Sequence, residues 1–338
     1  MVYLGIDIHR KRSHVVAVSQ EGERLLSRRV QSSPAGLWRV FGEFEAQPLE
    51  VAFESTFGWG WLADLLADAD IPAHMAHPLA TKAIASARVK NDAVDAETLA
   101  QLLRCDLLPE SWMAPPEGRE ARCLARRRTS LVRMSSRLKC QVHAMLAEHG
   151  VTPRQSDLFG RQGRQLLEEL RLPQISQERV ATNLRLIDDL AREVRLANRQ
   201  LSQLFAQDDR VRRLLPIPGL GPLTAAVVVA EIWDITRFAS PGRLASWSGL
   251  TPTEHSSAEQ IRHGHVSKQG SRWLRWVLVE AAQQAPRDPE LRAFFNRVQG
   301  GRPDRDKIAR VALAHRLLKL CFYALRDPHG CRAYPAFR

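Results

Sequence analysis

The sequence predicts an α/β plus α fold: an N-terminal mixed sheet, a long helical middle and a helical C-terminal part. Three observations predict it. Short runs rich in valine, isoleucine and leucine crowd residues 2–75, and from residue 92 onward apolar residues recur at helical spacing. Charge also divides along the chain. Residues 1–110 hold 11 basic and 15 acidic side chains, and the remainder holds 38 and 22.

The elements follow in order. Residues 2–8, VYLGIDI, read as a buried strand containing Asp7. SHVVAVS at 13–19 and LLSRRVQ at 25–31 read as the next two strands, with Glu21-Gly22 at their turn. A short helix over 35–45 follows Pro34. LEVAF at 49–53 is a further buried strand, with Glu54 directly after it. Trp59 to Asp68 reads as a helix and Ile71 to Met75 as a strand. The order β-β-β-α-β-α-β, then helix, mixes hairpins with parallel crossovers and is that of a ribonuclease H-like (resolvase-nuclease) sheet.

Residues 92–104 form an amphipathic helix, and Pro115-Pro116 separates it from a long basic helix over 118–149. A third spans 177–207, with Leu184, Ile187, Leu190, Val194, Leu201 and Leu204 at helical spacing. Two helices this long are expected to pair as a coiled-coil hairpin. VRRLLPIPGLGPLTAAVVVAEI then reads as helix, tight glycine turn and apolar helix. A polar loop runs from Gly249 to Ser271, and helices start at Trp273 and Asp306. The expected domains are 1–110, 111–207 and 208–338.

Composition bounds the function. The 338 residues are 44% apolar with a net charge of +12, which excludes a wholly disordered chain. No run of eighteen apolar residues is present, so no membrane span is expected. The basic cluster follows the first apolar run, the reverse of a secretory leader. Five scattered cysteines without a C-x-x-C pair point to a reducing cytoplasm rather than a disulfide framework. Excess positive charge there points to an anionic partner, most simply nucleic acid.

Four carboxylates stand out. Asp7 lies inside an apolar strand, and Glu54 ends a second. Asp92 and Asp95, three apart, share one helix face. Two acids from strand ends and two from a helix can converge on a pair of Mg²⁺ ions, because hard cations take oxygen ligands and phosphoryl transfer uses such pairs. Taken singly, each also suits a strand end, a helix cap or a solvated face.

The basic segment carries Arg122, Arg126, Arg127, Arg128, Arg133 and Arg137, with Glu120 the only acid from 119 to 139. Such a helix is expected to lie along a polyanion. Gly219 and Gly221 in PGLGP suit a helix-hairpin-helix-like turn that offers backbone N–H groups to a phosphate. Ser256 and Ser257 sit in the polar loop, followed by Lys268, Arg272 and Arg275, which could hold phosphate oxygens. His9, His14, His263 and His265 read as polar strand residues near a nucleic-acid backbone rather than metal ligands.

With these segments in order, the chain resembles the DEDD-type transposases of the insertion-sequence-110 family, which also contains the Piv DNA invertases. The resemblance is carried by GIDIHRKRSHVV, FEST and RVKNDAVDAETLAQLL, then by LLPIPGLGPLTAAVVVAEI, GRLASWSGLTPTEHSS and GHVSKQGSRWLRWVLVEAA. It implies a ribonuclease H/resolvase-like N-terminal domain whose acidic tetrad is Asp7, Glu54, Asp92 and Asp95. It also implies a C-terminal transposase domain with a nucleophilic serine, which falls on Ser257 with Ser256 beside it. Ala258 replaces the usual glycine there.

The implied chemistry uses Mg²⁺ on the tetrad to polarise a scissile phosphate and help deprotonate Ser257. A phosphoserine link then forms, a 3′-hydroxyl is freed, strands exchange and the ester reverses. DNA is the implied substrate, a structured noncoding RNA from the element an implied partner, and a dimer or tetramer the expected assembly. A metal-dependent junction nuclease, a DNA invertase and a non-catalytic nucleic-acid-binding protein are the alternatives.

Overall fold

The computed structural model describes residues 1–84, 91–257 and 260–327, with backbone alone over 254–257 and 260–263. It divides into two compact units, Met1–Pro116 and Glu117–Arg338.

The first unit is built on five strands: β1 (Val2–Asp7), β2 (Arg12–Ser19), β3 (Arg24–Gln31), β4 (Leu49–Glu54) and β5 (Ala73–Ala76). Their spatial order is β3-β2-β1-β4-β5. The first three pair antiparallel as a meander, whereas β4 lies parallel to both β1 and β5. The parallel crossovers carry α1 (Pro34–Gly42) and α2 (Trp59–Asp68). Ser33 caps α1 by accepting the Gly36 N–H, and Pro34 supplies a first-turn residue that needs no donor.

Alternation along β1 and β4 assigns two faces. Leu4, Ile6, Val51 and Phe53 join Leu37, Val40, Phe41, Leu62 and Leu66 of α1 and α2 in one core. The opposite face is covered by α4 (Asp92–Arg104): Val16 and Val18 meet Ala96 and Ala100, and Ala52 meets Leu99 and Leu103. Residues 3, 5 and 7 of β1 and residues 52 and 54 of β4 share this second face by parity. A methyl group on Gly5 would lie 1.8 Å from the Ala96 carbonyl oxygen. Only a residue without a side chain lets α4 cross so close.

The second unit is helical. α5 (Pro116–Glu148) and α7 (Gln174–Leu204) run antiparallel, because Arg127 bonds Glu193, Arg128 bonds Asn198, and Gln141 bonds Asn183. The far end of this hairpin has its own core of Val142, Met145, Leu146, Leu158, Leu167 and Val180. The near end, through Ala121, Ala125 and Leu201, enters the main core. At its centre stands α9 (Pro222–Ile232), buried from Ala225 to Ile232 and packed by α7, α8 (Asp209–Leu214) and α11 (Arg272–Gln284), with α13 (Asp306–Arg326) packed on α11 and α8. No helix among the described residues is long and apolar enough to cross a membrane.

The structure adds elements that periodicity does not predict: α3 (Pro78–Ile84), α6 (Arg161–Glu169), α10 (Pro241–Ser248) and α12 (Pro289–Gln299). It also corrects the polar loop. Pro252–Ser257 and Gln260–Val266 are antiparallel strands, β6 and β7. A two-stranded polar ribbon gives little apolar alternation to read, so beyond the strand reading of His263 and His265 its bounds and its pairing are hidden in the sequence.

Candidate active site

The carboxylates of the first unit come together at the C-terminal edge of its parallel strands, the edge where open α/β sheets bind ligands. Ile6 pairs with Phe53, so Asp7 and Glu54 follow at the next step on adjacent strands. α4 brings Asp92 and Asp95 over the same edge. All four line one cavity of about 560 Å³. Asn91, not Asp92, caps α4: its side chain accepts the Val94 N–H at 2.8 Å. The Asp92 carboxylate is thereby left to face the cavity.

The electrostatics are those of crowded anions. Burial pushes the Asp7 carboxyl above its ordinary value; His9 opposes this, and the Asp92 and Asp95 charges add to it. Asp92 is held below the usual range, chiefly by a 2.9 Å hydrogen bond from Arg29 of β3. His9 Nε2 lies 3.1 Å from Asp7 Oδ2 and 3.4 Å from Asp92 Oδ1. Asp7, His9 and Asp92 each offer an atom within 4.8 Å of the others, a grouping that can hold a divalent cation. The donor set suits a hard or borderline metal: carboxylate oxygens with one imidazole nitrogen.

His9 and Arg29 are the residues that sequence reasoning misses as parts of this site. His9 follows the strand end by two residues, and its backbone carbonyl accepts from Ser32 Oγ at 2.7 Å, which fixes the loop. The available signal is its spacing from Asp7. Arg29 gives no such signal, since it arrives from the far end of the meander.

In the second unit, the basic residues of α5 divide into two groups. Charge density predicts phosphate contacts for Arg122, Arg126, Arg127 and Arg128, but the structure gives all four protein partners. Arg122 donates to the carbonyl oxygens of Ala230 and Glu231 at 3.1 and 2.9 Å. Its burial pulls its pKa down to about 10. Arg126 binds both carboxylate oxygens of Glu231, which is fully buried, at 2.7 and 2.9 Å. Arg127 pairs with Glu193 and Arg128 with Asn198. Arg133 and Arg137, one turn apart, are exposed. Arg133 and the exposed Arg272 both lie against the Trp273 ring, 5.9 and 4.6 Å from its centroid.

The other expected phosphate contacts are mixed. Gly219 has φ +89°, and a methyl there would meet the Ala281 carbonyl oxygen at 2.5 Å, so this glycine packs the turn onto α11. Gly221 has open space before α9. Arg275 donates to the Ser248 carbonyl at 2.7 Å and ties the end of α10 to α11. Lys268 is exposed at the root of the β6–β7 ribbon. Ser256 and Ser257 are the last two residues of β6, paired with Ile261 and Gln260. Their side chains, like that of His263, lie outside the described residues.

Known proteins resemble both halves of the chain. Residues 4–150 match the family model of the DEDD transposases of the IS110 type, described as a transposase. Residues 211–296 match the model described as Transposase IS116/IS110/IS902 family. A Sinorhizobium fredii protein named as a candidate transposase is 28% identical over 256 residues, 72% of this chain and 65% of its own length. A second from the same organism, named in the same way, is 30% identical over 292 residues, 83% of this chain and 70% of its own length. The transposase for insertion sequence element IS1328 of Yersinia enterocolitica is 24% identical over 283 residues, 83% of this chain and 82% of its own length.

Proposed function

Because the chain belongs to the IS116/IS110/IS902 family of transposases, we propose that it is an insertion-sequence transposase that cuts and exchanges DNA strands. The observation that carries this reading is the convergence of Asp7, Glu54, Asp92 and Asp95 on one cavity at the strand edge. The strand order β3-β2-β1-β4-β5, with an antiparallel meander joined to parallel strands, supports a ribonuclease H-like first domain.

Asp7, Glu54, Asp92 and Asp95 would hold divalent metal, Mg²⁺ in this reading. Bound there, it would supply Lewis-acid stabilisation of charge on a scissile phosphate. The remaining steps belong to the chain. Ser257 Oγ forms a bond to phosphorus, the P–O3′ bond breaks, and the serine proton ends on the released 3′-hydroxyl. The phosphoserine ester keeps the energy of the broken bond, so a 3′-hydroxyl from another strand can reverse the step without an external energy source. Arg133, Arg137, Lys268 and Arg272 are exposed cations suited to phosphates. Gly221 before α9 suits a backbone phosphate contact of the helix-hairpin-helix kind. The proposed partners are DNA, a structured RNA encoded by the element and further copies of the chain, all in the cytoplasm.

The test is a suicide DNA substrate carrying an element end. Asp7→Asn, Glu54→Gln and Asp95→Asn should abolish cleavage and leave DNA binding within a few-fold. Ser257→Ala should eliminate the covalent protein–DNA adduct, and Ser256→Ala should retain it. Cleavage without an adduct in the unaltered protein would replace this reading with the junction nuclease. Normal cleavage by all three carboxylate variants would remove the metal site.

A further inference from the structure

We propose that Phe57 is a stacking platform for an unpaired nucleobase beside the carboxylate cavity, a step that rests on the DNA-acting reading of that cavity. Phe57 is 81% exposed, the most exposed large apolar side chain among the described residues. A singly exposed apolar side chain is ordinary on a protein surface, but this one shares its cavity with the exposed Leu79 and with the four carboxylates.

The ring is held out by the backbone on both sides. The Ser55 N–H donates to the Ala76 carbonyl of β5 at 3.2 Å, and the Thr56 N–H turns back to the Glu54 carbonyl at 2.8 Å. Gly58, with φ +82°, then starts α2. Phe57 therefore stands at the tip of a tethered turn, three residues beyond a tetrad carboxylate.

The surroundings specify the occupant. Phe57, Leu79, Arg10 and Lys82 line the same cavity as the four carboxylates. Leu79 is itself 62% exposed. An apolar lip with two cations close by matches a nucleotide chain, whose flat base faces alternate with phosphates. A base inside a duplex has both faces covered by its neighbours. The base that fits must therefore have left the stack, at a nick, an end or a splayed crossing. Stacking there would hold the backbone next to the tetrad only where the helix is already opened, which selects distorted DNA over intact duplex.

The experiment uses the full chain and a short oligothymidylate carrying one central 2-aminopurine, offered single-stranded and as duplex. The unaltered protein should quench the single-strand fluorescence on binding. Phe57→Ala should bind that strand about five- to a hundred-fold more weakly and lose the quenching, with duplex affinity changed less than about two-fold. Phe57→Trp should restore both. The ring's exposure means that the alanine variant keeps the fold, which a thermal melt checks. Unchanged single-strand affinity, or equal losses on both forms, overturns the proposal. So does a variant that alters only the oligomeric state, because the ring then covers a second copy of the chain. Asp7→Asn separates the two readings: it should quench normally while failing to cleave. Cleavage by Asp7→Asn counts against the tetrad alone, and loss of quenching in Phe57→Ala still upholds the platform.

Discussion

Gly5 of β1 and Ala96 of α4 meet backbone to backbone: a methyl group on Gly5 would sit 1.8 Å from the Ala96 carbonyl oxygen and 2.7 Å from the Ala100 nitrogen. This approach sets the height of α4 over the sheet. Asp92 and Asp95 ride on the first turns of that helix, and Asp7 is two residues along from Gly5 on the same face. The close packing is thus what lets carboxylates from a strand and a helix share one cavity.

Gly5→Ala should therefore act on both stability and the site. Moving a backbone rather than a flexible side chain costs at least the usual overpacking penalty, about 1–3 kcal/mol. Metal-induced stabilisation should fall with it, because Asp92 and Asp95, the proposed ligands on α4, are lifted from Asp7. Thermal melts with and without MgCl₂ test this. An unshifted melt would show that α4 has slack that these distances deny.

Asp7 gives a prediction with a definite sign. Its carboxyl is raised in the folded protein, first by burial and then by Asp92 and Asp95, with His9 opposing. The folded state then binds more protons than the unfolded state between the two pKa values, so this group's contribution to stability is full in acid. It is lost as pH rises through the folded value. Without divalent metal, Asp7→Asn should melt above the unaltered protein at neutral pH, and the gap should close below the usual carboxylate range. MgCl₂ should raise the melt of the unaltered protein, through binding to the native state, and leave the variant unmoved. A variant that melts lower at neutral pH without metal contradicts the assignment of burial as the main cause.

Much of the first unit is legible in the sequence because each segment states its own period. VYLGIDI, SHVVAVS and LEVAF are strands as expected, and the helix read over 92–104 is α4. The four carboxylates are legible as candidates for a related reason: Asp7 and Glu54 end apolar strands, and the three-residue spacing of Asp92 and Asp95 puts both on one helix face. The partners are not. His9 and Arg29 reach the site through loop tethering and strand pairing, which are long-range facts. The basic helix shows the same limit in reverse. Its charge is plain from the sequence, but the buried acceptor that occupies Arg126 is Glu231, 105 residues away, inside a run that reads simply as apolar helix.

Glu231 sets the last prediction. It has no exposed surface and accepts two bonds from Arg126 and a third from Ser271 Oγ at 2.8 Å. Arg126→Ala removes two of those three bonds and leaves the serine hydroxyl, with the Arg122 and Arg237 charges acting on the carboxylate through space. Stranding a buried charge in this way costs on the order of 2–4 kcal/mol and should lower the melting temperature by roughly 5–15 °C. Its effect on the salt dependence of DNA binding should be small, because the guanidinium is already spent on protein. Arg133→Ala and Arg272→Ala should do the opposite: unchanged melts, and a slope of log K against log salt reduced by about 0.9 for each duplex phosphate that is no longer neutralised. Arg127→Ala, whose partner Glu193 is exposed, should move neither quantity much. If Arg126→Ala instead flattened the salt slope with an unchanged melt, the Glu231 pair would open on binding, and the whole length of the basic helix would belong to the nucleic acid.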